Sequence, residues 1–212
     1  IRYRHRGQEV LEVIDPKGKT KLGTDRGKSY EAHEFDEMEM QKCLSHLLKN
    51  LSQVEATKSG RAKHFASELK RQLREGLELW RSYKEDKISR ESYRERGRVL
   101  EAKINEHLRD RILSDADNQR LLNGIGMQAD RGRLTLFLHH PEIEPTNNRA
   151  ERGLRPAVIA RKVSHCSKNE RGAQAYSVMK SIFVTLSLRT KSVTQAFASL
   201  LKGQSLQQAI QG

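Results

Sequence analysis

The chain has 212 residues, ample for the core of one large domain or of one domain carrying an insertion, and its formal net charge is +13. Forty basic against 27 acidic residues bring the isoelectric point near 9.9, an excess that favours a polyanionic partner, nucleic acid first. No apolar run reaches the ~20 residues a membrane helix needs, so no membrane role is expected. Two distant cysteines, Cys43 and Cys166, build no disulfide framework, and no leader peptide is read before them, which points to a reducing cytoplasm.

Ile1 to His5 reads as the end of a strand, and Val10, Leu11 and Ile14 give Gln8 to Ile14 helical spacing. Asp15-Pro16-Lys17-Gly18 is turn chemistry, followed by a brief strand around Lys21 to Thr24 that would deliver Asp25 to its C-terminal end. Asp36 with Glu39 resembles a capping box. Met40, Cys43, Leu44, Leu47, Leu48 and Leu51 then recur at three and four residues, which predicts a helix. Phe65, Leu69, Leu73, Leu77 and Trp80 predict a second helix. Tyr93, Leu100, Ile104, Leu108 and Ile112 predict a third, opening on a Ser92-Tyr93-Arg94-Glu95 box. Residues ~52 to ~128 thus read as a helical hairpin or small bundle, broken at Asn123-Gly124-Ile125-Gly126. Leu134, Phe137 and Leu138 make a last apolar stripe before His139-His140-Pro141 stops the chain's helical run.

Thr146, Asn147 and Asn148 can cap a helix whose first turns carry Glu151, a favourable place for a carboxylate. Pro156 predicts that this helix ends or kinks near Arg155. Five basic residues, Arg149, Arg152, Arg155, Arg161 and Lys162, surround that one acid. Val163 to Arg171 reads as loop, and Tyr176, Val178, Met179, Ile182, Phe183 and Leu186 as another amphipathic helix. Ser192 with Gln195 caps a final helix carrying Phe197, Leu200 and Leu201, closed by Gly203.

The run T-N-N-R-A-E-R-G-L-R-P-A-V-I-A-R-K, from Thr146 to Lys162, resembles the glutamate motif of bacterial DDE transposases of the insertion-sequence-sixty-six family. Thr24-Asp25-Arg26-Gly27-Lys28-Ser29-Tyr30 is similar to that family's second-aspartate segment, and Cys43-Leu44-Ser45-His46 to its C-x-x-H element. The likeness runs from Gly7 onward and is strongest from Phe137 to Leu188. It implies a mostly helical α+β chain: a truncated RNase H-like, DDE integrase-type core with a large α-helical insertion. Residues 1–51 would be partial core with the second aspartate, 52–138 the insertion, and 139–212 the C-terminal part of the core with the glutamate helix. The implied activity is DNA strand cleavage and transfer at the ends of an insertion element, with Asp25 and Glu151 as catalytic, metal-binding carboxylates. Two Mg²⁺ (or Mn²⁺) ions suit such a site, because these hard cations take oxygen ligands and can stabilise both attacking and leaving oxygens. Implied partners are the element's terminal inverted repeats, target DNA, further copies of the chain on DNA and small accessory proteins of the same element. The setting would be the bacterial nucleoid.

The first aspartate of the triad is missing from this pattern. Only nine residues separate Asp15 from Asp25, whereas parallel strands need a connection of a dozen or more, so Asp15 is rejected. The chain is therefore expected to be a C-terminal fragment whose first aspartate lies upstream of Ile1, with little or no catalysis alone. Arg152, Arg155, Arg161 and Lys162 are assigned to DNA because arginine forks pair with phosphate; Asn147 and Asn148 either join them or hold the helix start. Zinc on Cys43-x-x-His46, completed by His165-Cys166, is disfavoured because Cys43 sits on the apolar stripe. His139, His140 and Trp80 are read as structural. Two competing readings stand beside the enzyme: a non-catalytic DNA-binding relic acting as a repressor, and a basic helical protein–protein adaptor.

Overall fold

The computed structural model describes residues 14–15, 20–25, 27–31, 33–109, 116–164, 167, 169–190 and 192–211. The readings made for Ile1 to His5, for Gln8 to Val13, for Pro16 to Gly18 and for Ile112 lie outside them. Two strands, β1 (Leu22–Thr24) and β2 (Met40–Lys42), run parallel in the register Leu22 with Met40 and Thr24 with Lys42. Nine α-helices follow among the described residues: α1 (Leu44–Thr57), α2 (Gly60–Lys84), α3 (Arg90–His107), α4 (Ala116–Asp130), α5 (Leu136–His139), α6 (Asn148–Val163), α7 (Glu170–Arg189), α8 (Val193–Leu201) and α9 (Leu206–Gln211). The fold is mostly helical. It divides into two compact units, one reaching to Ala150 and the other starting at Glu151.

In the first unit, α1 to α5 share one core. Leu44, Leu47, Leu51, Leu69, Leu73, Leu100, Ile104, Leu108, Phe137 and Leu138 are all buried in it. Each such side chain contributes about 1.5–3 kcal/mol by leaving water. Gly76 lets α2 approach closely: a Cβ there would lie 3.1 Å from Phe137 Cζ and 3.3 Å from Leu100 Cδ2. Phe65 stacks on His107 with ring centroids 4.5 Å apart, joining the start of α2 to the end of α3. The short helix α5 is held by its neighbours. Phe137 C=O would normally accept from the amide four residues on, but that residue is Pro141, which has none. The Tyr93 hydroxyl donates to it instead, at 2.7 Å. Trp80 Nε1 donates to Pro141 O at 2.9 Å, so Trp80 is structural.

Four sequence expectations are corrected here. Residues 40–42 are strand, not the first turn of α1, which starts at Leu44. All three are buried, so the polar/apolar alternation of a half-exposed strand is missing, and Met40 fits helical spacing only by coincidence. The α3 cap is Ser89, whose hydroxyl accepts from the Ser92 amide at 3.2 Å, so the helix opens one turn before the predicted box. Gly124 and Gly126 do not break α4; the helix runs through both, and Gly126 is buried. Pro156 does not end α6, which continues to Val163. Proline there forfeits its own bond to the Arg152 carbonyl and crowds that carbonyl, a cost the helix absorbs without ending.

In the second unit, Ile182 and Leu186 of α7 pack with Ala196, Phe197 and Leu200 of α8 and with Ala209 and Ile210 of α9. Ser192 caps α8 by accepting from the Gln195 amide, and Gly203 (φ +88°) follows the helix end in the left-handed region, as the sequence predicts. α9 was not among the predicted helices. Its signal is a reciprocal box in which the Ser205 amide donates to Gln208 Oε1 (2.9 Å) and the Gln208 amide to Ser205 Oγ (3.3 Å). No residue of α6 is buried, and Leu154, Ile159 and Val163 on it, with Val178, Phe183 and Leu188 on α7, are exposed.

Candidate active site

Asp25 directly follows β1, half-buried, at the carboxyl end of a parallel pair where open α/β sheets gather ligands. Its Oδ1 accepts from the Gly27 amide at 2.8 Å, closing a tight turn. A Cβ at position 27 would sit 2.8 Å from that same oxygen, so a side chain there must displace the carboxylate. The Tyr30 amide then donates to Gly27 O at 3.2 Å as the chain enters the 3₁₀ turn Lys28–Glu31. Burial and the neighbouring Asp25 charge push the Tyr30 phenol up.

Behind this turn lies a group of charges that sequence reasoning did not find. Glu31 Oε1 is 2.6 Å from Lys42 Nζ, and Glu31 Oε2 receives Gln128 Nε2 at 3.2 Å, Arg133 Nη1 at 3.3 Å and Arg131 Nη1 at 3.4 Å. Lys42 and Arg133 are almost fully buried. Arg133 also gives Nη2 to Phe35 O at 2.9 Å, and Lys42 Nζ lies 5.8 Å from the Tyr30 ring centroid. Burial alone would raise the Glu31 carboxyl, but the hydrogen bonds from Lys42 and Gln128 and the cations around it hold it below the usual range. No local pattern in the sequence announces this cluster, because Gln128, Arg131 and Arg133 lie 97 to 102 residues beyond Glu31 and only Lys42 is near it along the chain.

The loop that leads into α6 is fastened to the same strand ends. The Cys43 amide donates to Thr24 O at 2.7 Å, and the Leu44 amide to Pro145 O at 3.0 Å. Cys43 Sγ accepts from the Asn147 amide at 3.1 Å, and Ser45 Oγ meets Asn148 Oδ1 at 3.2 Å. Asn147 and Asn148 are therefore engaged where α6 begins. Buried Cys43 serves as an acceptor for that loop; His165 and Cys166, the other candidate zinc ligands, lie outside the described residues. An open depression of about 660 Å³ lies against Lys21 and Gly23, bordered by Glu142, Glu144, Thr146, Asn147 and Arg149.

Glu151 stands in the first turn of α6, exposed, and belongs to the second unit, as Asp25 does to the first. Along that helix Glu151, Arg155 and Lys162 fall on one face, since residues four and seven apart return to the same side, with Arg152 next to them. Arg161 is turned away from Lys162 by about 100°. All of these side chains are exposed. Asp25 and Glu151 are hard oxygen donors that solvent reaches, which suits a divalent ion of the magnesium type.

The family model described as Transposase IS66 family matches residues 2–175. The chain belongs to the IS66 transposase family. No curated protein and no solved structure matched it. Membership makes this IS66-family chain a transposase of the polynucleotidyl-transferase kind, with DNA as partner and divalent metal as the general cofactor. No helix among the described residues is long and apolar enough to cross a membrane.

Proposed function

We propose that Asp25 and Glu151 supply two of the three carboxylates of a two-metal DDE centre in an RNase H-like core, and that the third comes from sequence preceding Ile1. The observation that carries this is the position of Asp25: it ends a strand whose outer edge pairs with nothing among the described residues. A further parallel strand on that edge would end beside Asp25, where a first aspartate belongs. The depression against Lys21 and Gly23, and the exposed apolar residues of α6 and α7, support a core that is completed by additional chain. A divalent ion held by Asp25 and Glu151 would supply Lewis-acid stabilisation of charge at phosphorus. Arg152, Arg155, Arg161 and Lys162 bind the phosphates of the cleaved strand, and Asn147 and Asn148 set the start of the glutamate helix. Several copies act together on paired element ends, in the bacterial nucleoid.

The test uses the protein with its upstream sequence restored, incubated with element-end DNA and Mg²⁺ or Mn²⁺. Cleavage that is lost in Asp25→Ala and Glu151→Ala, while DNA binding persists, supports the two-carboxylate assignment. Cleavage unaffected by either substitution refutes it. Binding without cleavage in any form favours the second reading, a DNA-binding relic that represses rather than cuts.

A further inference from the structure

We propose that Glu31 is the positioning residue for Asp25: it clamps the turn carrying that carboxylate onto β2 and onto the end of the helical insertion, and so sets metal affinity there. The inference rests on the assignment of Asp25 as a metal ligand. Three features of the first unit support it.

The first is the mechanical path. Asp25 is held by the Gly27 amide, Gly27 by the Tyr30 amide through its carbonyl, and Glu31 is the next residue along. Whatever fixes Glu31 fixes the far end of a seven-residue segment that starts at Asp25. The second is the number and origin of the partners. Lys42 comes from β2, Gln128 from α4, and Arg131 and Arg133 from the segment after α4, so one carboxylate joins three parts of the fold. The third is the burial of two of those cations. Lys42 and Arg133 are each about 2 % exposed at the side chain, and moving Glu31 away would leave them without their acid. The turn is therefore pinned by a contact that is expensive to break, whereas its own internal bonds are two ordinary amide hydrogen bonds.

A ligand carboxylate binds a metal well only if its orientation is set in advance, and partners behind the ligand commonly change affinity by about 10- to 100-fold. Glu31→Gln should accordingly weaken Mn²⁺ binding by about tenfold. It should also speed amide hydrogen exchange at Gly27 and Tyr30, with little change on α7 and α8. Gly27→Ala, which displaces the Asp25 oxygen directly, should match that metal defect while leaving the Glu31 cluster in place.

The experiment uses the protein with its upstream sequence. Mn²⁺ affinity is read by the electron paramagnetic resonance of the free ion, and amide exchange by mass spectrometry, for the unsubstituted protein, Glu31→Gln, Gly27→Ala and Asp25→Ala. Because Glu31→Gln strands two buried cations and risks misfolding, the double variant Glu31→Gln/Lys42→Met is read alongside it. Weakened Mn²⁺ binding and faster Gly27 exchange in a folded Glu31 variant bear the proposal out. Folded variants with unchanged Mn²⁺ affinity overturn it. Should Asp25→Ala itself leave Mn²⁺ binding intact, it is the ligand assignment that fails, and this outcome is distinct from a silent Glu31 variant.

Discussion

Tyr93→Phe removes one oxygen from the middle of the helical core of the first unit and nothing else. The ring is fully buried and packs against Tyr83 with centroids 4.8 Å apart, a contact phenylalanine retains. What is lost is the hydroxyl bond to Phe137 O, a carbonyl that proline at 141 deprives of its helical donor. Leaving such a buried acceptor unpaired costs about 1–3 kcal/mol, more than the ~1 kcal/mol of an average hydrogen bond. Urea unfolding followed by circular dichroism should therefore show a loss of about 2 kcal/mol at constant m-value. Alkali gives a second, independent signature. Burial raises the Tyr93 phenol above its ordinary value, so the unfolded chain ionises first as pH rises. Its contribution is complete below about pH 10 and falls above that by about 1.4 kcal/mol per pH unit, since the folded state alone still holds the proton. Tyr93→Phe should lose this alkaline slope. A loss under ~0.5 kcal/mol would refute the view that this hydroxyl caps α5, and an unchanged slope would refute the burial of the phenol.

The Glu68 carboxyl is drawn down to about 2, chiefly by its hydrogen bond from Arg71. Because the pair is largely solvated, Glu68→Gln should cost at most about 0.5–1 kcal/mol near neutrality, a difference that vanishes as pH falls from about 4 towards 2 in acid unfolding curves. Gly76→Ala should be destabilising by about 1 kcal/mol in thermal melts, because the crowding against Phe137 and Leu100, roughly 1–3 kcal/mol, exceeds the helical gain of about 1. Gly153→Ala on α6, where an added Cβ meets nothing within 4 Å, should instead raise the melting temperature. For duplex DNA, Arg152→Gln/Arg155→Gln should reduce the slope of log affinity against log salt by about 2, near 0.9 per phosphate contact; an unchanged slope would remove these residues from the interface.

What the sequence made legible divides along physical lines. The helices α2, α3 and α7 were visible because long amphipathic runs repeat their apolar face many times, and Ser192 and Gly203 because caps are local chemistry. β2 was hidden: a strand covered on both sides loses its alternation, and its polar members Gln41 and Lys42 are buried by partners from remote chain. Of the candidate site, Asp25 and Glu151 were legible only through the wording around them, as neither stands out by charge or period. The Tyr93 cap could not be read at all, since it joins residues 44 apart, nor could the Glu31 cluster, three of whose four partners lie 97 to 102 residues on. Cys43 is buried as the sequence suggests, but it precedes the helix instead of lying on its apolar face, and its sulfur as acceptor for the Asn147 amide needed coordinates.

The helices between β2 and Arg133 leave and return to the strand at one spot. Gln41 gives its side-chain amide to Leu134 O, 93 residues along the chain, and takes the Phe137 amide on its oxygen, while the Lys42 amide reaches Arg133 O at 2.7 Å. A long excursion whose two feet stand side by side can be swapped, shortened or enlarged without stretching the sheet beneath it. Such a layout gives evolution, or an engineer, a socket: the bundle can be exchanged for another while Asp25 and the loop entering α6 keep their stations.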